Sequence, residues 1–471
     1  MMTRTGCLTA IAAAVLWVVP VSAQPAPGPA SAPEIVPDQF IVELNPAIGP
    51  DAVIRDHGLV PVFKYGIIRG FAAKMPRGLA RRVAADPRVH AVSPDLVVRT
   101  FVRPGRSRRT RVSGPASDIS QCRVSPDDKP VFDPEVQIGV RRIGADMAWA
   151  RGNTGAGVKV AVIDTGIDPC HPDLVENLKG GVNLVRRRRP PTDDNGHGTH
   201  VAGIIGAALN GFGVAGVAPE ASLYAVKVLD AEGAGTLSTV IRGLEWAARN
   251  GMDVANMSFG TLDPFGGRGP LCSAIASATA AGMTVVAAAG NEQIDASLIT
   301  PANCRDSLTV TGFVDTDGRP GGDGPEVMLA PGLVERDDTF AETFSNFSNA
   351  CWDTDGDDEC TSADSPVVDL MAPAVGVRST LPTYPAALND LGVSRNYDFL
   401  TGTSMAAPHV AGAAALFIAA NPGATPARVR LGLTTGGECE AGGTGGSPLC
   451  PEPWTDDPDF DPEPLVSVDG F

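Results

Sequence analysis

KVAVIDTGID, residues 159–168, is the stretch that indicates the class of fold. Its first six residues form a short apolar, β-branched run closed by an aspartate, as expected for a buried strand. Similar runs recur at 222–229, 253–258, 284–290 and 307–313, and helix-like runs lie between them at 200–209, 237–250 and 271–282. Buried strands that alternate with amphipathic helices predict an α/β domain with a largely parallel sheet.

Functional residues in such a sheet are expected at the carboxyl ends of the strands. Asp164 closes the run KVAVID, where its carboxylate can orient a neighbouring group; a helix cap or a turn is the alternative. His197 stands in NGHGTH (195–200), between glycines that let other groups approach closely. The alternative for this histidine is a structural role or a metal pair with His200, although no third ligand is evident.

A serine stands at the start of a helix-like run in TGTSMAAPHV (401–410). Because proline is tolerated in the first turn of a helix, Pro408 predicts that Ser404 lies at the helix N-terminus. A capping role is one interpretation, and Thr403 or Thr401 could also cap. A nucleophilic role would require a histidine to accept the hydroxyl proton, an acid to orient the histidine and donors for the oxyanion. Asn291, which ends the strand-like run 284–290, is a candidate donor.

These motifs together resemble those of the subtilisin-like serine proteases, the subtilase family. The resemblance rests on VAVIDTGID, NGHGTHVAGIIG, AAAGNE and GTSMAAPHVAGAAAL, in the order Asp, His, Ser, and covers roughly 135–435. It implies a subtilisin-like three-layer α/β domain. It also implies that Ser404 is the nucleophile, His197 the general base and then acid, and Asp164 the orienting carboxylate. Asn291 and the backbone N–H of Ser404 would form the oxyanion hole.

The resemblance also implies a substrate cleft between two strands. The residues expected to pair with the substrate backbone are Gly233, Ala234 and Gly235 on one side and Ser258, Phe259 and Gly260 on the other. Plain strand-end turns are the alternative. Leu237 and Val240 are expected to line a pocket for an apolar residue four positions before the cut. Glu292 is expected at the rim of the primary pocket. The loop 294–302 differs from the corresponding loop of the family, so the specificity of this pocket stays open.

Residues 34–101 form a separate small α+β unit by pattern, with strands at 39–44 and 90–98 and a helix at 78–87. This unit resembles the inhibitor-type propeptide of the family, which serves as intramolecular chaperone and inhibitor. Alignment places its end, VVRTF, in the cleft and predicts self-cleavage after Phe101. Cleavage within the basic run 106–111 is the competing interpretation, and a solvated linker is another.

Calcium is the ion that the resemblance implies, as a structural ligand. Asp173 and Asn210 fall at matching positions, together with backbone oxygens near Ala208, Phe212 and Val214; such oxygens suit a hard cation. The acidic insertion CWDTDGDDEC (351–360) is a second candidate, with a solvated loop as the alternative. No organic cofactor is expected.

Composition constrains location and partners. Residues 1–23 combine Arg4, an apolar core and a VSA cleavage site, which predicts a signal peptide and a secreted, or periplasmic, protein. The net charge of −17 argues against nucleic acid or an anionic membrane as partner. The resemblance implies protein or peptide substrates, and a monomer is expected. The basic linker is predicted at 102–129, the catalytic domain at 130–435 and a Gly/Pro/Asp-rich tail at 436–471.

The chain contains nine cysteines, and removal of the signal would leave eight, which predicts disulfides in an exported protein. Pairing neighbours in sequence gives 122–170, 272–304, 351–360 and 439–450.

Together, these features predict a secreted serine endopeptidase that cleaves peptide bonds through an acyl-enzyme and is made as an autoinhibited precursor. A non-catalytic binding protein of the same fold, or a nucleotide-binding protein using the glycine-rich run 443–449, are the alternatives; the intact triad and the absence of a full dinucleotide motif disfavour them.

Overall fold

The computed structural model describes residues 32–101, 135–322, 324–330, 333–348, 351–352, 365–439, 443–444 and 463–471. Several predictions from sequence concern other residues and lie outside the described part of the chain. They are the signal peptide (1–23), the basic linker (102–129), the acidic run 353–360 and the cysteines at 122, 360 and 450.

The first unit is a four-stranded antiparallel sheet with two helices on one face. Its elements are β1 (Ile35–Leu44), α1 (Pro50–Asp56), β2 (Pro61–Tyr65), β3 (Gly70–Lys74), α2 (Arg77–Ala84) and β4 (Val89–Thr100), in the sheet order β4-β1-β3-β2. Successive residues of β1 point to opposite faces of the sheet. Val42 packs in the cluster beneath α1 and α2, whereas Ile41 packs in a cluster shared with the main domain. This sheet therefore has a helix layer of its own on one face only.

The main domain contains the remaining elements. Its helices are α3 (Ile138–Arg142), α4 (Ala145–Ala150), α5 (His197–Gly206), α6 (Leu237–Arg249), α7 (Pro270–Ala280), α8 (Thr403–Ala420) and α9 (Pro426–Thr435). Its longer strands are β6 (Lys159–Asp164), β7 (Leu178–Asn183), β9 (Ser222–Lys227), β10 (Ala234–Thr236), β11 (Val254–Met257), β12 (Phe259–Leu262), β13 (Thr284–Ala288), β15 (Ser307–Val314), β16 (Val327–Ala330), β17 (Leu333–Glu335), β21 (Leu370–Pro373), β22 (Val377–Thr380) and β23 (Tyr397–Leu400). Two-residue strands complete it: β5 (Glu135–Val136), β8 (Val214–Ala215), β14 (Ile299–Thr300), β18 (Thr339–Phe340), β19 (Cys351–Trp352), β20 (Ser365–Pro366), β24 (Glu438–Cys439) and β25 (Gly443–Thr444).

The central sheet has the strand order β18-β15-β13-β11-β6-β9-β7, and β21 also pairs with β15. All of these pairs are parallel except β15 with β18. The side chains of β6 are apolar on both faces of the central sheet, and helices pack against each face. Val160 and Val162 pack with α5 and α8, whereas Ala161 and Ile163 pack with α6 and α7. The predicted three-layer α/β fold with a largely parallel sheet is confirmed.

Helix α8 is 18 residues long and apolar enough to cross a membrane by length and composition. It is the only such helix within the described residues, and 83% of it is buried inside the domain. Its residues from Thr403 to Leu416 form part of the main core, so its apolarity reflects packing on all sides.

The end of the chain returns to the core of the main domain. Leu465 exchanges backbone hydrogen bonds with Glu438 at 2.8 and 2.9 Å, and the backbone N–H of Val466 donates to the Met371 carbonyl at 3.0 Å. The side chains of Leu465, Val466 and Val468 are completely buried. The domain boundary predicted after residue 435 therefore does not separate these last residues from the main domain.

One predicted disulfide is confirmed: Cys272 on α7 is bonded to Cys304, which precedes β15. Cys170 is also disulfide-bonded. The predicted partner of Cys170, and one partner of each remaining pair, lie outside the described residues.

Candidate active site

Three neighbouring strands bring the predicted site residues to one edge of the sheet. Strand β6 pairs in parallel with β11, with Val162 opposite Asn256. Two residues further along each strand, Asp164 and Ser258 therefore lie at the same level. Asn291 follows β13, which pairs with the other side of β11. The carboxyl ends of parallel strands thus form the floor of the site, as the fold class predicts.

Asp164 and His197 form a hydrogen-bonded pair with no exposure to solvent. The Nδ1–H of His197 donates to the two carboxylate oxygens of Asp164 at 2.8 and 3.0 Å. The backbone N–H of Thr165 also donates to Oδ1 of Asp164, at 2.7 Å. Because a carboxylate only accepts, this pair places the imidazole proton on Nδ1 and leaves Nε2 as an acceptor. Within the described residues, that buried Nε2 has no hydrogen-bond partner.

The start of α5 is held by a buried carboxylate that sequence reasoning missed. Asp193 accepts hydrogen bonds from Thr165 Oγ1 at 2.9 Å and from the backbone N–H of Gly196 at 2.9 Å. Its second oxygen accepts from the Thr199 hydroxyl at 2.6 Å. These bonds fix the first turn of the helix that carries His197. An acidic residue four positions before the histidine, in DDNGH, is the only local sign of this role.

The metal interpretation of His197 with His200 is not supported by the geometry. His200 donates from Nε2 to the carbonyl of Asp398 at 3.3 Å, whereas His197 bonds Asp164. Burial lowers the pKa of His200 to about 3, so this imidazole is neutral. His200 is therefore a structural residue behind the site.

Ser404 is the second residue of α8, so its predicted place at a helix N-terminus is confirmed. The helix is capped by Gly402, without a capping side chain, rather than by Thr401 or Thr403. The hydroxyl of Ser404 donates to the carbonyl of Ser258 at 3.1 Å.

The position predicted for Pro408 is wrong, because this proline lies inside α8 and beyond its first turn. Proline has no N–H to donate to the carbonyl four residues earlier, which is that of Ser404. The hydroxyl of Ser258 donates to this carbonyl instead, at 2.9 Å. A side chain from β11's end thus replaces the missing helical bond, and the helix tolerates the proline.

Thr403 positions the amide of Asn291. The backbone N–H and the hydroxyl of Thr403 both donate to Oδ1 of Asn291, at 2.9 and 2.8 Å. These bonds fix Oδ1 as the acceptor and turn Nδ2 away from Thr403. A Cβ at Gly402 would lie 2.6 Å from Nδ2, so only glycine leaves room for the amide there. Sequence reasoning treated Thr403 only as a possible cap and missed this role.

The predicted cleft strands flank the last residues of the N-terminal unit. Strand β10 pairs with β4 through Ala234 opposite Arg99 and Gly235 opposite Val98. Strand β12 pairs with the other side of β4, with Phe259 opposite Thr100. Both pairings are antiparallel, so β4 lies as a third strand between them. Four of the predicted substrate-binding residues are thus on two strands that hold an extended peptide, and Gly233 and Ser258 directly precede these strands.

Apolar pockets accept two side chains of this third strand. Phe101 packs in a cluster that includes Ala289, Ala296 and Ile299, and a Cβ at Gly260 would lie 2.8 Å from its ring. Val98 is completely buried and belongs to a cluster with Leu237 and Val240. The backbone N–H of Thr100 donates to the carbonyl of Gly233 at 2.9 Å.

The predicted calcium residues lie together at a separate place. Asp173 accepts from the Asn210 amide at 3.2 Å, from the Val214 N–H at 3.0 Å and from the Tyr397 hydroxyl at 2.9 Å. The carboxylate is buried, and this burial raises its pKa. A small cavity is lined by Asn210 and its neighbours in the loop 208–215, together with Val136.

Comparison with known proteins identifies the family of this chain. Residues 155–436 match the Subtilase family, peptidase S8. Subtilisin BL from Lederbergia lenta is 40% identical over 292 residues, which cover 62% of this chain and 87% of that protein. Subtilisin E from Bacillus subtilis (strain 168) is 40% identical over 299 residues, 63% of this chain and 64% of that protein.

A solved structure shares the fold. The crystal structure of fervidolysin from Fervidobacterium pennivorans, a keratinolytic enzyme related to subtilisin, superposes with a TM-score of 0.66 at 20% identity and covers 96% of this chain and 63% of that one. The family match, the subtilisin relatives and the shared fold lead to one conclusion: this chain belongs to the subtilase family and is a subtilisin-like serine endopeptidase.

Proposed function

We propose that Ser404, His197 and Asp164 carry the endopeptidase reaction. The observation that supports this most is the buried Asp164–His197 pair, which leaves Nε2 of His197 as an acceptor without a partner among the residues that the structure describes. Ser404 lies at the same edge of the sheet, since its hydroxyl bonds the residue that follows β11. A base, its orienting acid and a serine at a helix N-terminus are the parts that acyl transfer requires.

The proposed reaction has two steps. Ser404 Oγ passes its proton to His197 Nε2 and attacks the scissile carbonyl, and the imidazolium then protonates the leaving amine. Water, deprotonated by the same Nε2, hydrolyses the acyl-enzyme and restores the serine. Asp164 stabilises the imidazolium in both steps. The amide of Asn291, held by Thr403, and the N–H of Ser404 donate to the oxyanion.

The cleft supports a preference for large apolar residues before the cut. An extended substrate would pair with β10 and β12 as residues 97–100 do. Its residue before the cut would occupy the pocket of Phe101, and the residue three positions earlier the pocket of Val98.

We assign the N-terminal unit, 34–101, as an inhibitory propeptide that is released by self-cleavage after Phe101. Its end lies between the cleft strands and excludes other peptides. Buried polar contacts attach the rest of the unit to α6. Asp95 accepts from the Ser238 N–H at 3.0 Å, the Gln39 amide donates to the Ser238 hydroxyl at 3.2 Å, and the Tyr65 hydroxyl donates to the Ser238 carbonyl at 3.0 Å.

The remaining domain assignments complete this proposal. Residues 1–23 direct export, 102–129 form the linker between propeptide and enzyme, and 130–435 form the catalytic domain. The tail from 436 onward contributes its last residues to the catalytic core.

We also propose that calcium binds beside Asp173. The residues present suit a hard cation: the buried carboxylate of Asp173 bonds the Asn210 amide, and Asn210 lines a small cavity with its neighbours in the loop 208–215, whose carbonyl groups are further oxygen donors. Calcium there would hold the loop that follows α5 and would take no part in catalysis. The variant Asp173→Asn should therefore lose part of the calcium-dependent rise in melting temperature.

Labelling with an organophosphorus reagent that reacts only with activated serines tests the proposed nucleophile. Processed protein should take up one equivalent, and peptide mapping should place it on Ser404; the other serines of the chain are the internal control. A Ser404→Ala protein should not react. Labelling at a different serine, or equal labelling of both proteins, would refute the assignment.

A further inference from the structure

Three carboxylates meet beyond the end of β15, at a place that has no part in the proposed chemistry. Asp315 follows β15, and Asp337 and Asp338 lie between β17 and β18. Each offers one carboxylate oxygen, and these oxygens lie within 4.8 Å of one another. Asp315 and Asp337 are each only 5% exposed. Such closely spaced, buried like charges repel one another unless something compensates them.

Two of the three carboxylates accept hydrogen bonds from the chain on both of their oxygens. Asp337 accepts from the Thr316 N–H at 2.7 Å and from the Gly324 N–H at 2.8 Å. Asp338 accepts from the backbone N–H groups of Gly321 and Gly322 at 2.5 and 3.1 Å. They therefore hold the glycine-rich loop that follows β15.

Asp315 is different, because one of its oxygens has no partner. Its Oδ1 accepts from the Gly318 N–H at 2.8 Å. Its Oδ2 is buried and, within the described part of the chain, makes no hydrogen bond. An unpaired buried carboxylate oxygen is costly unless it is protonated or bound to a cation.

Arg142, a cation that contacts the cluster in the described part of the chain, does not neutralise it. Arg142 donates from Nε to Asp338 at 3.1 Å and also binds Glu438 through both terminal nitrogens, at 2.5 and 3.1 Å. Four carboxylates and one guanidinium leave three negative charges when all are ionised. Two further positive charges would restore most of the balance.

We propose that Asp315, Asp337 and Asp338 bind a calcium ion. All the available ligands are oxygens, and three carboxylates at a buried site suit a hard dication. The bound ion would take the free oxygen of Asp315 as a ligand and join the end of β15 to the turn at 337–338. This site shares no residue with the one at Asp173 and does not depend on the proposed catalytic roles.

Calcium stoichiometry in solution tests the proposal. The full chain carries Ser404→Ala to prevent self-digestion, is freed of metal with a chelator and is titrated with calcium chloride by calorimetry. Asp315→Asn should bind one calcium ion fewer per chain than the parent. Asp317→Asn is the matched control: it removes the same charge two residues away, where the carboxylate only accepts from the Arg319 N–H at 2.8 Å. It should bind as many ions as the parent.

Melting temperature gives a second readout with a characteristic sign. In chelator, Asp315→Asn should be at least as stable as the parent, since it removes a repelling charge. When calcium is added, the melting temperature of the parent should rise more than that of the variant. The difference in melting temperature between the two proteins should therefore become smaller or change sign. Equal stoichiometry and an equal calcium-induced shift in both proteins would refute the site.

Hydrogen exchange tests the site without the Asp315→Asn variant, so its result does not depend on whether that variant folds. The protein with Ser404→Ala and Asp173→Asn is compared with and without calcium, so that the Asp173 site does not contribute. Calcium should slow exchange of the amides at 316–322 and at 337–338. No calcium-dependent protection in these two segments would overturn the proposal.

Discussion

Replacing Asp164 with asparagine removes the charge facing His197 while keeping the shape of the side chain. The carboxylate oxygens lie 2.8 and 3.0 Å from Nδ1 in a site without solvent exposure. At about 3 Å and an effective dielectric constant of about 20, the attraction between imidazolium and carboxylate is about 5 kcal/mol. Since about 1.4 kcal/mol corresponds to a factor of ten in rate, we expect a loss of about 10⁴-fold.

A change of tautomer acts in the same direction. The asparagine amide can donate to Nδ1, which places the imidazole proton on Nε2, the atom that must accept the proton of Ser404. The rate of self-cleavage measures the effect, because it is a single turnover within one chain and needs no added substrate. Intact mass at successive times gives this rate for the wild type and for Asp164→Asn.

Asp168→Asn is the matched control for this experiment. Asp168 is also completely buried, but it accepts from the Cys170 N–H at 2.9 Å and the Thr383 hydroxyl at 2.8 Å, not from His197. This variant should lose stability and, where folded, cleave itself within about tenfold of the wild-type rate. If Asp164→Asn keeps more than a tenth of that rate, the role proposed for the Asp164–His197 pair is wrong.

Three further predictions concern other parts of the molecule. Asn291→Ala should lower kcat by about 10²- to 10³-fold with little change in KM, because it removes one oxyanion donor. Steady-state kinetics, with the concentration of active enzyme determined by active-site titration, measures this effect. A fall in kcat of less than tenfold would contradict the prediction. Cys272→Ser, in the Ser404→Ala background, opens a cross-link spanning 32 residues and should lower the free energy of unfolding by about 3–4 kcal/mol in guanidinium titrations. A loss under about 1 kcal/mol would contradict it. Burial raises the pKa of Asp95, so the folded precursor holds a proton that the unfolded chain has already lost, and its stability should fall as the pH rises from about 4 through that raised pKa. In the same background, Asp95→Asn should flatten this dependence, with a limit of about 1.4 kcal/mol per pH unit, and an unchanged slope would be the contrary result.

The features that sequence predicts well are local ones. The run 159–164 forms β6 with the predicted bounds, and Asp164 ends it. Ser404 lies in the first turn of its helix, and mostly small and apolar residues follow it. Strand ends and helix starts depend on neighbouring residues, so each candidate could be placed on its element from the sequence.

The contacts that orient these residues were not predictable in the same way. Thr403 and Asn291 are 112 positions apart, and Ser258 and Ser404 are 146 apart. Neither pair belongs to a periodic pattern, and both form only when strand and helix meet. The error over Pro408 has this origin, because a hydroxyl distant in sequence replaces the bond that the proline lacks.

The end of the chain gives a second example. Leu465, Val466 and Val468 lie in a region rich in proline and aspartate, where composition predicts a tail outside the catalytic domain. Backbone hydrogen bonds attach this segment to Glu438 and Met371, and both of these residues are far from it in sequence. A few apolar residues without periodicity give no signal for such a contact.

Intact mass of two precursors tests the central proposal most directly. The chain from Gln24 onward is prepared with calcium, as wild type and as Ser404→Ala, and its fragments are mapped. We expect the wild type to separate after Phe101 and the variant to remain whole, because Phe101 occupies the pocket before the cut and Ser404 supplies the nucleophile. Equal cleavage of both proteins, or a wild type that stays whole, would contradict the assignment of a self-cleaving precursor.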